Sequence, residues 1–171
     1  MIVGFWQTKE ENGYLSNWYK AEFNFHGHHF YNSEQAFMYL KAKLFNDVEM
    51  IEKILNTKNP RSCKKFGRAV KQFDSKVFDQ YKYQFMVAVL IEKFSQNPEL
   101  LKLLLNTNDS ILVEASPKDK IWGIGIGVDH VDFLNPDKWP GKNLLGKALM
   151  EVRDKLKNNT IQWFWQYMMR I

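Results

Sequence analysis

The segment Ser33-Glu34-Gln35-Ala36-Phe37-Met38-Tyr39-Leu40-Lys41-Ala42-Lys43-Leu44-Phe45 sets one acid, Glu34, and one amine, Lys41, seven residues apart in an otherwise apolar run. At about 3.6 residues per turn it reads as a helix with Glu34, Phe37, Met38, Lys41 and Phe45 on one face. That face is too apolar to be left in water, so the fold must cover this helix and still satisfy two ionisable groups. A buried charge costs several kcal/mol unless it is paired, and long helical side chains lean toward the N-terminus, which aims Lys41 back at Glu34. A partly buried, mutually satisfied pair is expected. A desolvated lysine moves toward neutrality and becomes a nucleophile, while a carboxylate in a first helical turn accepts or relays protons. The plainer reading has Glu34 complementing the helix dipole and Lys41 snorkelling to solvent; these residues alone leave both open.

The helix has enough chain around it to be buried in one domain, since the 171 residues are 45% hydrophobic and show no linker, repeat or low-complexity run. No apolar stretch approaches the roughly 18 to 20 residues of a membrane span, and Met1-Ile2-Val3-Gly4-Phe5-Trp6 lacks the pattern of a secretory signal. An intracellular, cytoplasmic protein without a membrane partner is expected. Cys63 is the single cysteine, which excludes an intramolecular disulfide, and the four histidines have no zinc-ligand spacing. Neither a metal nor another cofactor is expected.

The formal net charge is +5, and it is unevenly placed: Lys58, Arg61, Lys64, Lys65, Arg68 and Lys71 follow one another with no acid between them. Asn59-Pro60 is a helix start, and Cys63, Phe66, Val70 and Phe73 would form its apolar stripe. The basic side chains are then either an ordinary solvated face or a rim for phosphate or nucleic acid. On the second reading Arg68 is the first candidate, with Gly67 admitting a ligand close to the backbone.

Alternation in Glu22–His26 and His28–Tyr31 about Gly27 predicts a hairpin with the imidazoles near its turn. Asn46 with Glu49 forms a capping-box pattern, Asp74 or Ser75 opens a long helix to about Phe94, and Asn97-Pro98 starts a leucine-rich helix expected to be buried on several sides. Ser110–Ser116 reads as a strand, Pro117–Gly127 as a loop, and Asn143 onward as a final amphipathic helix. The sum is an α+β fold, a single helix-rich domain with a small antiparallel sheet, over residues 1–157. Residues 158–171 form an aromatic extension expected to pack on the same domain; a surface for a base or a partner chain is the sharper alternative. Two glycine motifs mislead. Gly141–Ala148 matches GxxxxGK, but Ala148 lacks the hydroxyl that holds magnesium, and Gly123–Gly127 has no third glycine or following helix.

Glu114-Ala115-Ser116, Asp119 and Trp122-Gly123 carry more weight: a strand end and its loop supply two carboxylates and an indole on which a base stacks for about 1 to 3 kcal/mol. With Glu34 they would surround a scissile glycosidic bond, one group serving the leaving nitrogen and one activating water. Alternatively Asp119 makes a turn and Trp122 fills the core. Gly13–Tyr19 contributes Asn17 and Trp18 from a loop, as a ligand wall or as a capped turn.

Leu15-Ser16-Asn17-Trp18-Tyr19, the Gly27 hairpin, Ser33-Glu34-Gln35 through Lys41-Ala42, Gly67-Arg68, Glu114-Ala115-Ser116 with Asp119 and Trp122-Gly123, and Gly141–Gly146 with Leu149-Met150 together resemble the NADAR superfamily of YbiA-like proteins, in its order, over about residues 3–157. Phe78 stands where that family frequently has tryptophan. The resemblance implies an N-glycosidase, a hydrolase of ribosyl–nitrogen bonds. Its implied substrates are ADP-ribosylated guanine, including ADP-ribosylated DNA or RNA, or a phosphoribosylaminopyrimidine of riboflavin synthesis. It implies Glu34, Lys41 and Asp119 as catalytic residues, with Lys41 capturing ribose C1 as a Schiff base. Asn17, Trp18, Arg68, Glu114, Trp122 and Gly123 are the expected substrate contacts. A non-catalytic module binding ADP-ribose or nucleic acid is the alternative.

Overall fold

The computed structural model describes residues 1–158, so the aromatic extension lies outside the described residues from position 159 onward. In chain order the elements are β1 (Ile2–Phe5), β2 (Phe23–Phe25), β3 (His28–Phe30), α1 (Ser33–Leu44), α2 (Val48–Leu55), α3 (Pro60–Arg68), α4 (Ser75–Ser95), α5 (Pro98–Leu105), β4 (Ile111–Glu114) and α6 (Leu144–Lys157). The helix-rich α+β class is as expected. The sheet is a correction in part: β2 and β3 pair antiparallel, but β1 and β4 form a separate parallel pair with Phe5 opposite Glu114. Parallel strands need a long crossover, and here the crossover contains helices α1 to α5.

Asn32 caps α1, Asn59 caps α3 with Pro60 in its first turn, and Asp74 caps α4 by accepting from the Lys76 and Val77 amides. Asp47, rather than Asn46, caps α2, accepting from the Met50 amide. Asn46 has a left-handed backbone, φ 53°, in the preceding turn. The hairpin turns on His26 and Gly27, φ 49° and 76°, as a two-residue loop with both centres left-handed requires.

Helix α1 is buried from Ser33 to Ala42 and packs against α2, α3 and α4. The interior of α4 from Phe85 to Ile91 is buried as well, and these two helices form the centre of the core. By contrast α5 buries only Leu104 fully and leaves Leu103 exposed, so its leucine density reflects a helix laid on the surface of the body, against α4 and α6.

Gly67 has a role other than ligand access. A Cβ there would stand 1.9 Å from Met38 Sδ, so the glycine lets α3 lie directly on α1. Gly146 serves α6 in the same way, bringing its first turn to the Leu112 carbonyl of β4. Both glycines of the GxxxxGK segment are therefore explained by packing: Gly141 has no room for a Cβ beside the Gly123 carbonyl and the Ile124 backbone. No helix among the described residues is long and apolar enough to cross a membrane.

Candidate active site

The C-terminal end of β4, the first turn of α1, the loop after Leu15 and the loop after Ser116 meet around one cavity of about 100 Å³. Its lining is Glu34, Phe37 and Met38 from α1, Ser16, Asn17 and Trp18 from the first loop, Lys64 from α3, Met86 from α4, and Glu114, Asp119 and Trp122 beyond β4. It has room for about three water molecules at roughly 30 Å³ each. A sugar and its scissile bond fill such a space; a dinucleotide extends out of it.

Glu34 is fixed by the junction of α1 with the first loop, where its amide donates to the Asn17 carbonyl at 3.0 Å. The residue is 6% exposed, and burial pushes the pKa of its carboxyl group up to about 7. Lys64, a hydrogen bond from the Trp18 side chain and the more distant Arg68 oppose that rise, whereas the charge of Asp119 adds to it. Glu114, at the end of β4, is pushed to about 8 by burial first, then by Asp119, with Lys64 pulling down and Glu34 pushing up. Two acids with raised pKa values, one buried and one half-buried, thus line the cavity together with Asp119.

Asp119 both makes the turn and stands at the cavity. Its carboxylate accepts from the Ile121 and Trp122 amides at 2.9 and 2.8 Å, shaping the turn, while the residue also lines the cavity. Trp122 stands edge-on to Phe37, ring centroids 5.2 Å apart, and forms one wall. Gly123 lines nothing itself. A Cβ there would come within 2.9 Å of both the Glu114 and Asp119 carbonyls, so it lets the loop fold tightly against the strand end. That contact is locked by Asn143, whose left-handed backbone (φ 53°) turns its side chain to accept from the Glu114 amide and donate to the Leu112 carbonyl.

Asn17 adds an unpaired acceptor. Its amide nitrogen donates to Met86 Sδ at 3.4 Å, and its buried Oδ1 has no hydrogen-bond partner.

The expected Glu34–Lys41 ion pair is absent. Lys41 Nζ lies over the Phe73 ring, 3.9 Å from its centroid, and 5.3 Å from that of Phe78, and the residue does not line the cavity. Burial and then the charge of Arg68 lower its pKa. Phe78 leans on Phe37 at 5.8 Å, so the position where tryptophan is frequent backs the cavity wall without facing the cavity.

Arg68 is likewise outside the lining and exposed, although close enough to act electrostatically on both Glu34 and Lys41. Lys64 takes the inner place. It lies about 60° round the helix from the Gly67 that seats α3 on Met38, on one side of it, whereas Arg68 lies about 100° from that glycine on the same side and one turn further along. In the sequence Lys64 was one of six similar cations; the azimuth of α3 singles it out.

No group of three metal-ligating side chains occurs among the described residues. His29 bonds Glu22 and Asn24 on the hairpin surface, at 3.1 Å each.

Comparison with known proteins places the chain in a family. Residues 4–157 match the NADAR domain model. The chain is 40% identical over 146 residues to N-glycosidase R617 of Acanthamoeba polyphaga mimivirus, covering 82% of this chain and 86% of that one. It is 32% identical to N-glycosidase YbiA of Escherichia coli K12, covering 91% and 88%, and 32% identical to part of the riboflavin biosynthesis protein VVA0006 of Vibrio vulnificus, covering 92% and 39%. The solved NMR structure of E. coli YbiA superposes with a TM-score of 0.76 at 31% identity, over 94% of this chain and 87% of that one. With a matching family model across nearly its whole described length, the chain belongs to the NADAR domain family.

Proposed function

We propose that the protein is an N-glycosidase that hydrolyses a ribosyl–nitrogen bond, and that its substrate is ADP-ribosylated guanine, free or in nucleic acid, or a phosphoribosylaminopyrimidine. The observation that carries this reading is the pair of acids lining one cavity, buried Glu34 and half-buried Glu114, raised to about 7 and about 8 beside two indole-bearing walls. A carboxylic acid that still holds its proton at neutral pH can give it to a departing nitrogen, and its neighbour with the lower pKa can take one from water.

In this mechanism the sugar enters the cavity, and a ribose hydroxyl donates to the unpaired Oδ1 of Asn17. The base stacks on Trp18 or Trp122. As the C1–N bond breaks, Glu114 passes its proton to the leaving nitrogen. Water attacks C1 while ionised Glu34 takes its proton, and Asp119 orients that water. A proton then returns from Glu34 to Glu114, and the net change is the addition of one water across the bond. Lys64 at the rim, with exposed Arg61, Lys65 and Arg68 beyond it, suits the phosphate or pyrophosphate that the cavity is too small to hold. This basic face favours the ADP-ribosyl substrate of the two.

A second route for the same reaction is favoured by the lowered pKa of Lys41. Here Nζ leaves the Phe73 ring and bonds to C1 as the C1–N bond to the base breaks, the base taking the proton of Glu114; the ring C1–O4′ bond then opens, a proton passing from Nζ to the ring oxygen, and the resulting Schiff base is later hydrolysed by water. Incubation with ADP-ribosylated DNA and with a phosphoribosylaminopyrimidine, followed by assay of released ADP-ribose or ribose 5-phosphate, tests the proposal; release from neither overturns it. Borohydride added during turnover separates the routes. A stable adduct on Lys41 selects the Schiff base, and full turnover by Lys41→Met selects direct hydrolysis.

A further inference from the structure

We propose that Lys93 is a positioning residue for the cavity, holding the Ser16–Trp18 wall in place from inside the protein through the carbonyls of Tyr14 and Ser16. The inference rests on the N-glycosidase reading for its consequence in catalysis but not for its structural content. Lys93 is 0% exposed, within the apolar interior of α4 between Ile91 and Phe94. No ion pair with an acid is found for it among the described residues. Instead Nζ donates to the Tyr14 carbonyl at 2.6 Å and the Ser16 carbonyl at 3.0 Å, with the Phe94 and Tyr19 rings 5.1 and 5.9 Å away.

A lysine is an expensive residue to bury in this way, because nothing neutralises its ammonium group. Burial lowers its pKa to about 7. A methionine of similar length would fill the space without that cost, so packing alone does not account for an amine here. What the amine does supply is two N–H donors that pull two alternate carbonyls of one short segment inward. The next carbonyl, that of Asn17, is then presented to the Glu34 amide, and the Trp18 side chain is carried to the Glu34 carboxyl group. Ser16, Asn17 and Trp18 all line the cavity, and among the described residues the Asn17 carbonyl makes the backbone hydrogen bond that joins this segment to α1. Lys93 therefore stands two bonds from the proposed proton shuttle without facing the cavity.

The test replaces Lys93 by methionine and follows the titration of Glu34 through the indole N–H resonance of Trp18, assigned by its loss in Trp18→Phe. The groups facing Glu34 are Cys63, Lys64 and Arg68 of α3, Glu114 at the end of β4, Asp119 in the loop after it, and Trp18 itself, and only the last depends on Lys93. Loss of the Trp18 bond removes a contribution that lowers the Glu34 pKa, so the midpoint in Lys93→Met moves upward from its wild-type value and kcat/KM falls at least tenfold. Leu104→Ala serves as the control, since it opens the core under α5 away from the cavity and should leave the midpoint in place. A folded Lys93→Met with an unmoved indole titration overturns the proposal. Should that variant fail to fold, Lys93→Gln, which keeps one donor, is judged by the same midpoint. The resonance is read without turnover, so a protein that cleaves no N-glycoside still answers the structural question.

Discussion

Replacing Glu34 by glutamine should make the protein inactive and, at alkaline pH, more stable. The carboxyl group has an ordinary value of 4.5 in the unfolded chain and about 7 when folded, because burial disfavours its charge. The native state then binds more protons than the unfolded state between these two values. Stability contributed by the protonated group is complete below pH 4.5 and is lost as pH rises toward 7. Above 7 the full cost of about 3 kcal/mol is present, since each pKa unit corresponds to about 1.36 kcal/mol. Glutamine has similar shape and never ionises. The difference in unfolding free energy between Glu34→Gln and wild type should therefore change by roughly 2 to 3 kcal/mol, in favour of the variant, between about pH 5 and about pH 8.5. Urea titrations of both proteins at the two pH values measure it, and taking the difference cancels every titration they share. Part of the gain passes through Glu114, whose own rise has a contribution from the Glu34 charge. Equal differences at the two pH values would refute the reasoning, because the carboxyl group would then not be desolvated in the fold.

Gly67→Ala should cost stability even though alanine favours a helix by about 1 kcal/mol, because its Cβ meets Met38 Sδ and overpacking of this kind costs about 1 to 3 kcal/mol. Met38 lines the cavity, so turnover should fall by more than the urea midpoint accounts for; unchanged turnover would show that the sulfur yields away from the cavity. Asn143→Ala removes the two side-chain bonds to β4 and leaves a left-handed residue without its preferred amide, so a loss of about 2 to 4 kcal/mol in urea unfolding is expected, with Glu114 displaced and activity lost.

Much of this fold was legible because local chemistry decided it. Asn59-Pro60, Asp74 and the alternation about Gly27 each fix a boundary through caps or turn geometry that involve only neighbouring residues. The parallel pairing of β1 with β4 was not legible, since two four-residue strands at opposite ends of a helical crossover carry no alternation and no turn to join them. The site divides on the same line. Glu34, Asn17, Trp18, Glu114, Asp119 and Trp122 were identified and do converge on one cavity, whereas the pairing of Glu34 with Lys41 failed. Helical spacing places two side chains on one face but does not say what third element lies between them, and here the rings of Phe73 and Phe78 take the amine. Lys64 and Lys93 depend on how α3 and α4 are rotated in the assembled core. For Lys93 the sequence did carry one sign, a solitary cation inside the apolar stretch Phe85–Phe94.

The loop between β4 and α6 is tied at its neck. Five consecutive amides from Gly141 to Leu145 donate to the carbonyls of Ile124, Lys120, Gly123, Ile121 and Trp122, so the chain returns to within hydrogen-bonding distance of the place it left. Everything beyond that neck, from Gly125 to Pro140, is a closed excursion whose ends are held at fixed separation. For a flexible loop, each doubling of length costs only about 0.6 kcal/mol. The excursion lays Val128 and Phe133 against Gly4 of β1, while the bonds of its neck keep Asp119 and Trp122 where they stand, so its length could change at that small cost without moving the cavity wall.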